Sequence, residues 1–433
     1  MRFHALTAIG LTLALIAAGC GDDAATDADG TTAPAATAPS ATEGAASSTP
    51  GTDAPASTGT PAEPSGEPYR IGLIIEETGN AAAFKDPTVH GYQTALAQLE
   101  SSSSRPFEVI TCDGGSNPEM AIACYERLVD RDGVDAILGP TVSASGIAIT
   151  PAVNEDNIIN YYLGGGYGGR TMEGNPTQFG AHATNTDVLT AIWSWAEKSG
   201  LEDVYMISTS DATGQACRDF FDQDEFAEAR ASLEILGQDE MAIDAQTAAP
   251  QMAKVPADAD LLVLCATGGA GVVLAKSYAQ AGLEMPAMKL HSQALPAIEA
   301  ALAGALPDDK VYVAGFCPMA AAKGQLEDGY ACSESTLAFT ELLKEEFPDA
   351  DPTFLSAGTY DAVMQLATAV QEVGDDPDAI VEWFESQTGL PGANGVYDFG
   401  PEQHRGMGPE SVIIGVWQGD GFYLDSMNDM PTL

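Results

Sequence analysis

From Tyr69 onward, short apolar runs alternate with stretches whose apolar residues recur every three or four positions. "YRIGLII" reads as a buried strand, and "PTVHGYQTALAQLE" as a helix with Val89, Tyr92, Leu96 and Leu99 on one face. "FEVITCD" is the next strand. "NPEMAIACYERLVDR" then opens a helix, with Asn117 at the cap and Pro118 at the first helical position. "VDAILGP", "SASGIAITPAVNEDN" and "IINYYLGG" continue as strand, helix and strand. The alternation resumes after residue 183 with helix "VLTAIWSWAEKSG", strand "DVYMISTS" and helix "GQACRDFFDQDEFAEARA". Strand "DADLLVLCAT", helix "GAGVVLAKSYAQAG" and strands "AMKLHS" and "VYVAGFC" follow. Two successive series, each of one-domain size, predict an α/β chain of two doubly wound lobes whose parallel sheets are covered by helices. Ligands of such sheets sit beyond the carboxyl ends of the strands. The loops after Ile75, Gly139, Leu163, Ser210, Thr267 and His291 are therefore the places to search.

The chain ahead of this pattern is of another kind. "MRFHALTAIGLTLALIAAGC" carries Arg2, an apolar stretch from Ala5 to Ala18 and small residues leading into Cys20, the layout of a secretory signal. The apolar stretch is shorter than the roughly 20 residues that span a bilayer. "AAGC" resembles the bacterial lipobox, which implies that residues 1–20 form a lipoprotein signal cleaved just before Cys20 and that Cys20 carries lipid at the mature N-terminus. Residues 21–67 are nearly all Ala, Thr, Pro, Ser, Gly and acid, with no aromatic. Such a segment cannot bury enough apolar surface to offset its ordering entropy, so it reads as a disordered tether.

Composition narrows the partners. Lys and Arg total 17 against 63 Asp and Glu, a net charge of −46, which argues against nucleic acid. The acidity itself reads as solubility at high salt. Apart from Cys20 there are six cysteines: Cys112, Cys124, Cys217, Cys265, Cys317 and Cys332. An even number in an exported chain favours disulfides. Cys112–Cys124 and Cys317–Cys332 are the local pairings, leaving Cys217 with Cys265, and buried free thiols are the rival reading. No C-x-x-C occurs, and His90, His182, His291 and His404 show no metal-binding or hydrolase spacing. Neither a cofactor nor a metal is expected, nor an enzyme.

One stretch could contradict that. "YYLGGGYGGR" contains G-x-G-x-x-G at Gly164, Gly166 and Gly169. A dinucleotide site needs those glycines to open a helix whose N–H groups hold the pyrophosphate. Here "RTMEGNPTQFG" follows, with no apolar period, and no Gly-Lys-Ser/Thr marks a P-loop. The remaining readings are a flexible turn or a run of backbone N–H groups at a strand's carboxyl end, suited to an anionic or polar ligand.

"YRIGLIIEETGNAAAFKDPTVHGYQTALAQLE", "GVDAILGPTVSASGIAITPAVNEDNIINYYLGGG" and "FLSAGTYDAVMQLATAV", in that order, resemble the signatures of type I periplasmic binding proteins of the leucine/isoleucine/valine-binding class. The resemblance implies a clamp of two lobes joined by a three-crossing hinge. One lobe would hold 68–183 and 316–393, the other 186–313 and 394–430. It also implies a monomer that closes on a small solute, such as a branched-chain amino acid, an amide or urea-like compound or a small carboxylate. An ABC-transporter permease is the implied partner, and a ligand sensor acting on a membrane partner is the alternative.

The resemblance places the ligand carboxylate at Ser143, with Thr141 nearby, at a helix N-terminus that favours anions. The next contacts fall on Gly164, Gly165, Gly166 and Tyr167, where the family's threonine hydroxyl is missing. Phe84 matches an aromatic of the first loop, Thr213 replaces an aromatic of the second lobe, and Thr267 lies in a further strand-end loop. The family's acid for the ligand ammonium aligns with Gln293, beside Ser292, and glutamine has no charge to offer. Asp211, Glu77 or Glu76 could substitute, so an amine-free solute fits as well as an amino acid.

Overall fold

The apolar runs become strands in the computed structural model, which describes residues 64–166, 174–327 and 329–425. Five of them, β1 (Tyr69–Ile75), β2 (Phe107–Asp113), β3 (Ala136–Leu138), β4 (Ile159–Tyr162) and β5 (Gln178–Gly180), form a parallel sheet in the order β2-β1-β3-β4-β5. The second sheet takes β6 (Asp203–Thr209), β7 (Glu234–Met241), β8 (Leu261–Cys265), β9 (Ala287–Lys289) and β10 (Val311–Gly315), all parallel. A short hairpin, β11 (Leu390–Pro391) and β12 (Val396–Tyr397), precedes the antiparallel strands β13 (Ile413–Gln418) and β14 (Gly421–Leu424). These last two extend the second sheet to the order β14-β13-β10-β9-β8-β6-β7. Two α/β lobes with parallel sheets result, as the alternation predicts.

The helices start where local chemistry lets them. Asn117 accepts from the backbone N–H groups of Glu119 and Met120, with Pro118 at the first helical position. The stretch 214–231, read above as one helix, is broken: helix Ala212–Asp222 ends at extended Gln223, and a short turn follows. Strand β7 then runs at the sheet edge, where half-buried polar residues hide it from a search for apolar runs. "AMKLHS" is a strand only to Lys289. His291–Gln293 is a turn of 3₁₀ helix.

Helix Phe354–Val373 returns to the first sheet and packs along helix Lys85–Ser102, where Gly91 leaves room for the Ser356 carbonyl. Two of the segments that link the lobes are tied together. Buried Asp361 accepts from the N–H groups of Ala393 (2.6 Å) and Asn394 (2.8 Å) and from the Tyr397 hydroxyl (2.9 Å). Asn394 and Tyr397 also donate to the Ala181 carbonyl, so the segment after β5 and the hairpin are held to one helix. Burial raises the Asp361 carboxyl to about 6 against those three donors. All six body cysteines are paired: Cys112–Cys124, Cys217–Cys265 and Cys317–Cys332, with Cα separations of 5.6, 6.5 and 6.4 Å. No helix among the described residues is long and apolar enough to cross a membrane.

Lys289 is the costly residue of the second sheet. It is 1% exposed, and its Nζ lies 5.4 Å from the Phe422 ring centre with no hydrogen-bond partner among the described residues. Burial brings its ammonium from 10.5 down to about 7, with Glu299 opposing. The folded chain therefore releases this proton above pH 7 while the unfolded chain keeps it to 10.5, so stability should rise with pH across that window. We predict that Lys289→Met stabilises the fold by about 1–3 kcal/mol at pH 7 and removes that rise. Thermal melts from pH 7 to 10 check it, and an unchanged slope would clear Lys289.

Candidate functional site

Carboxyl ends of strands from both sheets meet at one small cavity. From the first lobe come Phe84 after β1, Thr141, Val142 and Ser143 after β3, and Leu163, Gly164 and Gly165 after β4. His182 and Asn185 follow β5, and Thr213, Thr267, His291 and Ser292 enter after β6, β8 and β9. Phe354 closes the ring. These groups leave about 20 Å³, room for little more than one water, so a solute enters only as the walls part.

Ser143 is not a helix cap. The cap of helix Ser143–Asp156 is Val142, which offers no side-chain bond, and the Ser143 hydroxyl accepts instead from the Gly166 N–H at 3.2 Å. The glycine run is thus explained by space. A Cβ on Gly164 would lie 2.2 Å from the Tyr162 hydroxyl oxygen, one on Gly165 2.5 Å from Asn185 Oδ1, and one on Gly166 2.7 Å from Ser143 Oγ. The next element among the described residues is strand β5. Beneath them lies Arg405, fully buried, which donates to the Gly164 carbonyl and sits 5.0 Å over the Tyr162 ring.

The two histidines carry no charge at neutral pH. His182 has Nδ1 2.9 Å from the Ala183 carbonyl and Nε2 2.9 Å from the Leu163 carbonyl. Burial holds it down to about 4, the Ala183 carbonyl favours the charged ring, and the Arg405 charge lowers it further. His291 is pushed well below its usual range by burial, then by His182 and Arg405. Its ring stands 4.9 Å from that of His182 and 5.0 Å from that of Phe354, and its Nδ1 has no partner among the described residues.

Among the residues singled out from sequence, Phe84, Thr141, Ser143, Gly164, Gly165, Thr213 and Thr267 share this cavity, with Gly166 beside it. Gln293 does not line it. The 3₁₀ turn puts Ser292 in the wall and tucks the Gln293 amide under Gly271, donating to the Gly268 carbonyl at 3.3 Å. Tyr167 and Cys20 lie outside the described residues. His182, Asn185, His291, Phe354 and Arg405 were not singled out. The two histidines lacked any recognisable spacing, and Phe354 and Arg405 come from distant chain segments that only tertiary folding brings in.

The lobes touch through Asn80, in the loop after β1. Its Nδ2 donates to the Thr267 carbonyl (3.2 Å), its Oδ1 accepts from the Ala270 N–H (3.1 Å), and its carbonyl accepts from the Gly269 N–H (3.0 Å). Helix Gly268–Ala281 has no side-chain cap of its own, so a residue of the opposite lobe caps it. Gly268, at φ +53°, is needed there, because a Cβ would stand 2.2 Å from the Asn80 carbonyl oxygen.

The chain belongs to the periplasmic binding protein family, whose profile matches residues 68–421. Proteins of this family are periplasmic or extracellular, bind small molecules, work with ABC transporters and are not enzymes. No curated protein matches in sequence. An extracellular ligand-binding receptor from Rhodopseudomonas palustris is similar in structure, with a TM-score of 0.73 at 19% identity over 83% of this chain and 99% of that one. The leucine-binding protein LivK from Thermotoga maritima gives 0.71 at 18% over 82% and 97%. A solute-binding protein of an R. palustris ABC transporter, in complex with benzoate, gives 0.70 at 16% over 85% and 98%. At these identities the likeness establishes the type I fold and no ligand.

Asn80→Ala should loosen the contact between the lobes, costing about 1–2 kcal/mol. Small-angle scattering should report a larger radius of gyration; an unchanged radius would mean that other contacts hold the lobes together.

Proposed function

We propose that the chain is a lipid-anchored extracytoplasmic solute-binding protein that closes on a small polar solute and delivers it to an ABC importer. The observation that carries this reading is the cavity at the facing carboxyl ends of two parallel sheets, walled from both lobes and nearly sealed. The bodies that close would be 68–183 with 316–393, and 186–313 with 394–430. Closure would exclude water, and in the drier site each polar contact is stronger. The ligand's polar end would meet the Ser143 and Thr141 hydroxyls and the glycine loop at 164–166. Thr213, Thr267 and Ser292 would approach from the other lobe, and Phe84 would face its apolar part. That a structural relative carries benzoate and another is named for leucine fits a site of this size class. The tether of residues 21–67 would let a membrane-held protein reach a permease.

A thermal-shift screen of the full-length protein tests the solute reading, since a ligand at 100-fold its Kd adds about 2.7 kcal/mol of stability. With a ligand in hand, Ser143→Ala should weaken binding by about 1–3 kcal/mol; unchanged affinity would remove Ser143 from the site. Cys20→Ser should move the protein from the membrane fraction to the soluble one. Retention at the membrane would refute the anchor.

A further inference from the structure

We infer that the solute of this cleft is an amine-free monocarboxylate with a compact apolar body, an inference that rests on the solute-binding reading above. The chain has 63 Asp and Glu, yet none lines the cavity among the described residues. The three acids that could stand in for the absent partner lie outside the lining. Asp211 Oδ1 accepts from the Gly214 N–H (3.1 Å) and the Thr209 hydroxyl (2.5 Å) as the cap of helix Ala212–Asp222. Glu76 lies outside the lining, with one oxygen accepting from the Ser116 N–H at 2.5 Å, the other without a partner among the described residues, and burial raising the carboxyl to about 7; Glu77 pairs with Lys85 at 3.2 Å on the surface. An ammonium enclosed here would have no counter-charge, and an unpaired buried charge is strongly disfavoured.

The polar groups that are free suit the opposite charge. Thr141 Oγ1 and His291 Nδ1 are buried without partners among the described residues, on side chains 6% and 3% exposed. Both can donate. Beside them the first turn of helix Ser143–Asp156 lacks a side-chain cap, leaving its N–H groups and positive end to the cavity. Arg405, behind Gly164, adds the nearest full positive charge without entering the wall. The rest of the lining joins apolar and aromatic groups, Phe84, Val142, Leu163 and Phe354, with both histidine rings edge-on to Phe354, to the neutral polar side chains of Asn185, Thr213, Thr267 and Ser292. A carboxylate at the Thr141–Ser143 end and a small hydrocarbon body against the rings satisfy both halves.

Matched probes isolate the two charges. Purified full-length protein would be titrated calorimetrically with 4-methylpentanoate, its neutral amide and leucine. A second set would be 3-phenylpropanoate, its amide and phenylalanine. In at least one set the acid should bind about 100-fold more tightly than the amino acid and at least about tenfold more tightly than the amide. Ser292→Asp, which puts a negative charge into the wall, should weaken the acid about tenfold or more relative to Ser292→Asn, which adds the same bulk without charge. An amino acid that binds as tightly as its deaminated partner overturns the inference and leaves the solute reading standing. An amide that equals its acid, or equal losses of acid affinity in Ser292→Asp and Ser292→Asn, also overturns it. Silence from all six probes overturns the inference alone, and the solute reading falls only if a broad panel of solutes is silent as well.

Discussion

Parallel strands that feed helices aim the helix N-termini at the strands' carboxyl ends, and each N-terminus brings N–H groups without helical partners. Several helices here satisfy them locally. Thr184 and Asp187 form a capping box, Thr353 and Ser356 another, and Asp211 caps its own helix. Helices Lys85–Ser102, Ser143–Asp156, Gly268–Ala281 and Ser333–Glu346 have no side-chain cap, and of these Ser143–Asp156 and Gly268–Ala281 open onto the cleft. One is completed by Asn80 from the other lobe, the other faces the cavity. Contact between the lobes and recognition of a polar ligand therefore draw on the same resource, backbone donors left unmet by their own segments.

The rest of the structure keeps those donors in place. Asp361 fastens the hairpin to helix Phe354–Val373, and the Ala181 carbonyl receives both Asn394 and Tyr397. Arg405 reaches from the segment beyond that hairpin to support the glycine loop, where a Cβ on Gly180 would stand 2.3 Å from its Cδ. Each lobe carries its own disulfides, Cys112–Cys124 in the first sheet and Cys217–Cys265 in the second, which stiffen the lobes without tying them together. The acid-rich chain thus encloses a cleft whose walls carry no acid among the described residues, with the buried guanidinium of Arg405 behind them.

Much of this was written in local pattern. Apolar runs such as "YRIGLII" and "LLVLC" are strands because their residues must be buried on both faces, and period and caps such as Asn117-Pro118 place helices without reference to the rest of the chain. The alternation determined the two-lobed α/β class and the strand-end loops to search, and the family resemblance pointed within them to Phe84, Thr141, Ser143, the glycines and Thr213. Local pattern failed at β7, an edge strand of half-buried polar residues, and at the turn His291–Gln293, where alignment favoured Gln293 and the backbone presents Ser292.

What only the tertiary structure decided are the contacts between residues far apart in sequence. Nothing local marks Asn80 as the cap of a helix almost two hundred residues away, Arg405 as the support of Gly164, or His291 as the neighbour of His182. The glycines at 164–166 show the division. The sequence by itself determined that a chain lacking side chains follows β4. Which neighbours require that lack, namely Tyr162, Asn185 and Ser143, is set by how the strand ends are brought together, because steric exclusion acts between atoms that only the folded chain makes adjacent.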